Sequence, residues 1–287
     1  MTIRGGDSMK TMTPLSPEQQ RLAQSMLINV NRPIDDVLAL LRGLSALDQE
    51  LTARRKNASK ILGVSIVIVF IGLILARKSF GGAHFAHYIV VALTVAAVIA
   101  AIASAVMYKR LKKADLTDDL TNSAIPFLTL LREDMNSGGT IHVKIDLRSA
   151  AINEKKVKEN RPKDPRFTKI IESFFVNPWF SGNVVLADGT RLDWEVIDKL
   201  LQRVRTKRNP RGKYKTKTKE KWHVVGGVTV AFPTKQYAVA DASADEKRHT
   251  IKLKRKVKTD SKGSSAFDVL VDMIAEAYGG VAVARRS

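Results

Sequence analysis

Apolar positions along this chain follow three different patterns. Between Ile34 and Leu51 they recur every three or four residues, at Val37, Leu40, Leu44, Leu47 and Leu51, which is one face of a helix. Residues 61–76 and 88–107 are then almost wholly apolar and carry no charge. Beyond residue 140 the period shortens to two. In TIHVKIDLR, Ile141, Val143, Ile145 and Leu147 alternate with His142, Lys144, Asp146 and Arg148, as in a half-buried strand.

The two apolar runs predict transmembrane helices over 60–77 and 88–108, joined by a short outer loop at 78–87. About 20 helical residues cross ~30 Å of hydrocarbon. The first run is short by that measure, and the stems of Lys60, Arg77 and Lys78 extend it. Arg42, Arg54, Arg55, Lys56 and Lys60 precede the first run, and Lys109, Arg110, Lys112 and Lys113 follow the second. Only Arg77 and Lys78 lie between, so the positive-inside rule predicts an integral multi-pass protein with both termini cytoplasmic, in the inner membrane if bacterial. Ala92, Ala96, Ala100 and Ser104 form a small-residue row on the second helix, beside Ala97, Ala101 and Ala105. Such rows pack helices closely in lipid, either within the hairpin or in a homo-oligomer.

The flanks read as helical. Residues 1–15 show no pattern and are expected to be disordered, and 16–59 to form cytoplasmic helices. Ser16-Pro17-Glu18-Gln19 is a helix start, that helix runs to about Asn29, and Asn31-Arg32-Pro33 breaks it. After the second span, Leu116, Leu120, Phe127, Leu130 and Leu131 keep helical spacing, interrupted at Pro126. The two extensions are expected to pack antiparallel as a stalk; the plainer alternative is two amphipathic helices lying on the membrane. Asn136-Ser137-Gly138-Gly139 would close the 109–139 segment as a flexible joint.

Residues 140–287 predict a β domain. Residues 153–168 read as a polar loop. Asp188-Gly189 between apolar stretches marks a tight hairpin. Residues 195–207 fit a helix or a strand, and the Asn209–Gly212 turn favours a strand hairpin. KYKTKTKEK, residues 213–221, would oppose Lys213 to Lys217 and Lys217 to Lys221 if helical, so it reads as a strand with one lysine face. Gly226-Gly227 suggests a turn or bulge. TIKLKRKVK repeats the lysine alternation at Lys252, Lys254, Lys256 and Lys258. A helix from about Ser264 to Tyr278 would dock through Phe267, Leu270, Val271, Ile274 and Tyr278. The fold class expected is thus an α+β membrane protein. It combines a two-helix transmembrane hairpin, a cytoplasmic helical stalk, and a C-terminal, mainly antiparallel β domain covered by one C-terminal helix.

Charge sharpens this picture. The chain carries a formal net charge of +20, and residues 140–287 hold 32 basic and 17 acidic side chains. A domain that basic expects an anionic partner. With no cysteine, disulfide and thiol chemistry are excluded. No phosphate-binding glycine loop, zinc-ligand spacing or serine elbow occurs, and Asp188 fits a turn. Asp193, Glu195 and Asp198 balance nearby lysines as readily as they would do acid–base work, and His84 and His87 are at most a weak metal pair. We therefore expect no catalytic residues, no metal, no cofactor and no enzyme activity. Phe174, Phe175, Trp179 and Phe180 read as core, or alternatively as a membrane-interface anchor.

The expected function is a membrane-anchored scaffold or adaptor whose partner is anionic lipid or an acidic cytoplasmic protein. The expected contacts are Arg203, Arg205, Lys207, Lys213, Lys215, Lys217, Lys219, Lys221, Lys252, Lys254, Lys256 and Lys258. A nucleic-acid tether is the alternative, since alternate strand lysines lie ~6.7 Å apart, close to two phosphate steps. An oligomeric pore ranks third, because nothing polar lines the spans. Lysine on an edge strand also guards against aggregation, with no partner at all.

Overall fold

The computed structural model describes residues 18, 21–22, 25–78, 84–113, 119–234, 236–239, 248–259 and 266–283. The chain is α+β and divides into two compact units, residues 44–117 and residues 1–43 with 118–287. The helix start at Ser16–Gln19 falls mostly outside the described residues.

In unit 44–117 the elements are the greater part of α1 (Ile34–Lys78) and α2 (His84–Lys113). Both are long and apolar enough to cross a membrane. Their large apolar side chains face outward, with Phe70 64 % and Ile102 61 % exposed. From Ala58 onward the buried positions are small instead: Ala58, Ser65 and Gly72 on α1, and Ala97 and Ser104 on α2. Gly72 sits against Thr94, whose hydroxyl donates to the Val90 carbonyl at 2.7 Å; a Cβ at Gly72 would overlap it. Small residues at seven-residue spacing let the two backbones approach. Of the small-residue row read from sequence, Ser104 is buried, Ala100 half-buried, and Ala92 and Ala96 exposed. The contact face is thus turned toward Ala97. Helix α2 starts at His84, so His84 and His87 are helical rather than in the loop.

The second unit is built on a seven-stranded antiparallel sheet. Its strands are β1 (Leu27–Pro33), β2 (Thr140–Asp146), β3 (Lys156–Asn160), β4 (Lys169–Val185), β5 (Arg191–Arg208), β6 (Tyr214–Pro233) and β8 (Arg248–Thr259). The order is β1-β2-β4-β5-β6-β8, with β3 also on β4. A separate pair joins β7 (Tyr237–Val239) to β9 (Val281–Val283). Two expectations are corrected here, and the open choice at 195–207 falls to the favoured strand. Leu27–Pro33 is a strand, not the end of a helix, because it pairs along β2 from Leu27↔Asp146 to Pro33↔Thr140. Within the 153–168 loop, Lys156–Asn160 pairs with β4. The 195–207 segment is strand throughout, inside β5.

The expected stalk is also corrected. A π-turn (Leu120–Ala124) leads into α3 (Ile125–Glu133), which packs on the sheet. Phe127 is fully buried, edge-on to Phe180 at 5.8 Å and to Trp194 at 5.3 Å. An amphipathic helix buries its apolar face on whatever apolar surface is available, and here the sheet supplies it. Trp179 and Phe180 are each 1 % exposed, so these aromatics are core. Asn136–Gly139 is a hydrogen-bonded turn, with Gly139 N donating to Asn136 O and Gly138 at φ 73.

Helix α4 (Ala266–Gly279) covers the same sheet face. It buries Ala266, Val269, Leu270, Met273 and Ala277, while Phe267, Val271, Ile274 and Tyr278 are half-buried at its flanks. Gly226-Gly227 makes no turn: β6 runs straight through. Gly226 is glycine because α4 crosses it, where a Cβ would stand 2.7 Å from Val269 Cγ1 and 3.3 Å from Met273 Sδ. Asp188 anchors the β4–β5 turn. Its carboxylate accepts from the Thr190 amide (2.8 Å) and hydroxyl (2.8 Å) and from Tyr237 Oη at 2.6 Å. That last bond, chiefly, pushes the Tyr237 hydroxyl up to about 12.

Candidate anion-binding face

Strand parity decides which cations stand together. Directly opposed residues in a ladder share a face, and successive residues alternate. The β5–β6 register opposes Arg203 to Lys219, Arg205 to Lys217, Lys207 to Lys215 and Lys199 to His223. The β6–β8 register opposes His223 to Lys258, Val225 to Lys256, Gly227 to Lys254 and Thr229 to Lys252. Lys215, Lys217, Lys219, Lys221, His223, Val225, Gly227 and Thr229 share one face of β6, so the lysines of β8 and the cations of β5 share it too. These twelve lysines and arginines from three strands therefore share one face, with Arg191 and Arg248 at its far end, and the core-forming helices lie on the other. Lys213 continues the row from the turn, where its carbonyl accepts from the Asn209 amide at 2.8 Å.

The face is thinly neutralised. Glu172 pairs with Arg203. Arg255, which alternates with Lys254 and Lys256 on β8, turns to the helix side and pairs with Asp272 at 3.3 Å and Glu276 at 2.7 Å. Among the described residues, no salt bridge engages Lys207, Lys215, Lys217, Lys219, Lys252, Lys254, Lys256 or Lys258. Asp193 and Glu195 share the face but sit toward the opposite end of β5; Asp198 is on the other face and buried.

Tyr214 to Lys221 is exposed on both faces. Strand β8 begins to pair only at Trp222, so the lysine stretch is bonded on one side, to β5 alone. A smaller apolar cluster of Ala150, Phe175 and Leu200, with Trp222 against it, supports the base of this projection.

His223 registers the field directly. It is held below the ordinary histidine value, first by burial and then by Lys256, Lys258, Lys221 and Lys199. Its Nδ1 has no hydrogen-bond partner among the described residues. The unfolded chain therefore takes up this proton first. The stability contributed by His223 is full above its ordinary value near ~6.5 and is lost as pH falls through that value toward the folded one. His223→Gln should remove this part of the acid sensitivity, as read from thermal melts across that window. Bound anions should raise the His223 pKa, followed by its imidazole resonance, because they neutralise the four lysines.

Three members of the face escaped sequence reading. Lys199 lay in a segment with two possible periods, and His223 gave no sign of its neighbours. Phe167 belonged to an apparent loop; its ring lies 5.2 Å from the Arg205 guanidinium. Register joins the first two, and the contact with Arg205 joins the third. The molecule is thus an α+β protein with two helices able to cross a membrane and one cationic sheet face. No family model, curated protein or solved structure matches the chain.

Proposed function

We propose that this chain is a non-enzymatic, membrane-anchored docking protein. In this reading α1 and α2 cross the membrane as a hairpin with both termini cytoplasmic, and the cationic sheet face binds anionic lipid headgroups. The observation that carries it is the register that gathers twelve cations on one face while both helices keep outward-facing apolar side chains. Each Lys or Arg near an anionic leaflet contributes ~1 kcal/mol, so a few aligned cations suffice for attachment. Lipid is favoured over nucleic acid because Tyr214, the aromatic residue inside the lysine stretch, lies on the opposite face with Arg208, away from where bases would stack.

The test uses the full chain in nanodiscs of neutral phosphatidylcholine. It should capture vesicles containing phosphatidylglycerol and ignore phosphatidylcholine vesicles. Capture should fade as salt shortens the screening length from ~8 Å at physiological strength to ~3 Å at 1 M. Binding of duplex DNA without vesicle capture would replace lipid by nucleic acid as the partner. Binding of neither, with capture of an acidic protein only, would move the function to an adaptor.

A further inference from the structure

The cationic face has a concave part. Beside the turn end of the β5–β6 hairpin lies a cavity of about 370 Å3, lined by Arg205, Lys207, Asn209, Lys215, Lys217, Lys219 and the ring of Phe167. Arg205 faces Lys217 and Lys207 faces Lys215 directly across the ladder. Like charges directly opposed are destabilising. The opposite face of the same hairpin holds it shut: the Thr206 and Thr216 hydroxyls bond at 3.0 Å, and Gln202 donates to Glu220 at 3.1 Å.

Among the described residues, no carboxylate lines this cavity. Asp164 is near enough to feel the Arg205 charge, but Arg166 already holds its two oxygens, through Nε at 3.0 Å and Nη2 at 2.8 Å. Arg205 lies against Phe167, and its Nε is buried with no hydrogen-bond partner among the described residues. The guanidinium is thereby oriented by the ring, and among the described residues no salt bridge engages it. Arginine suits bidentate recognition of phosphate, and lysines beside it act as point charges.

This concentration of charge calls for a compact anion carrying more than one charge. A phosphodiester offers one charge and two free oxygens. A phosphomonoester offers three free oxygens and about −1.5 to −2 charge at pH 7. We propose that the cavity is a phosphomonoester site. This rests on the docking function above and makes the protein selective among anionic headgroups rather than responsive to charge alone. The same chemistry is offered by a monoester lipid headgroup and by a soluble phosphate ester.

The experiment keeps the full chain in neutral nanodiscs. It compares capture of vesicles carrying phosphatidic acid with vesicles carrying phosphatidylglycerol, matched for total negative charge. Wild type should prefer phosphatidic acid by about tenfold, the equivalent of one bidentate charge-assisted contact. Arg205→Gln with Lys217→Gln should erase that preference. So should Lys215→Gln with Lys219→Gln, at exposed positions that do not threaten the fold. Lys254→Gln with Lys256→Gln should weaken capture of both lipids and leave their ratio unchanged. Glycerol phosphate that displaces phosphatidic acid vesicles but not phosphatidylglycerol vesicles would show that the site also takes the soluble ester. A kept preference without displacement would assign the site to lipid. Equal capture of both lipids by wild type would overturn this inference and leave docking intact. Capture of neither would overturn both.

Discussion

Lys215→Glu, Lys217→Glu and Lys219→Glu, combined in the full chain, should abolish capture of anionic vesicles and at the same time raise the melting temperature of the sheet unit. Loss of three lysines removes ~3 kcal/mol of attraction near an anionic leaflet, about two orders of magnitude in affinity, and the added negative charge takes it further. The second effect comes from register. The introduced carboxylates would face Lys207, Arg205 and Arg203 across the ladder, where the native chain sets like charges against each other. Each opposite-charge pair contributes roughly 0.2–1 kcal/mol, so the three together should raise the melting temperature by a few degrees. Vesicle co-sedimentation and a thermal melt on the same sample read the two outcomes. A variant that keeps vesicle capture would show that the lysine stretch meets only water. One that loses capture and also unfolds would show that the lysines had a structural role instead.

The second large effect concerns Gly182. Alanine there should cost about 3 kcal/mol, at the upper end for forcing a group into a packed core. Gly182 lies between Val143 of β2 and Trp194 of β5. An added Cβ would overlap the His142 carbonyl oxygen on one side and the Trp194 indole on the other. The carbonyl is part of the ladder and cannot turn away. The indole is held between Phe127 at 5.3 Å and Phe180 at 5.7 Å. Urea unfolding of the full chain, followed by tryptophan fluorescence, measures the loss. Gly279→Ala is the matched control, since a Cβ there meets nothing within 4 Å. Equal midpoints for the two variants would mean that β2 and the Trp194 indole can move away from β4 at no cost.

Much of this structure was legible from local patterns. Alternation predicted β2, and Asp188-Gly189 predicted the β4–β5 hairpin, because such signals depend on a residue and its immediate neighbours. The two apolar helices follow equally from composition. Other elements were hidden because their reason lies elsewhere in the chain. LINVNRP carries too few apolar residues to read as a strand, and it becomes one where β2 offers an unpaired edge. Phe127 looked like part of a stalk until Phe180 and Trp194 were brought beside it. Gly226 looked like a bend, whereas it marks where α4 crosses β6.

The lysine stretches divide in the same way. Alternation of lysine with threonine, tyrosine and glutamate determined by itself that Lys213–Lys221 would be extended with its lysines on one side. Like charges four residues apart oppose a helix, and a strand separates successive side chains by face. TIKLKRKVK carried the same information about itself. Neither stretch said whether its lysines would join the other's. That was decided by the pairing of His223 with Lys258 and of Lys199 with His223. Because side chains alternate with period two, a slip of one residue in either ladder would send a row of lysines to the helix side. The apolar residues between them hold the register, since Val224, Val228 and Val230 are buried on the face covered by α4 only in this alignment.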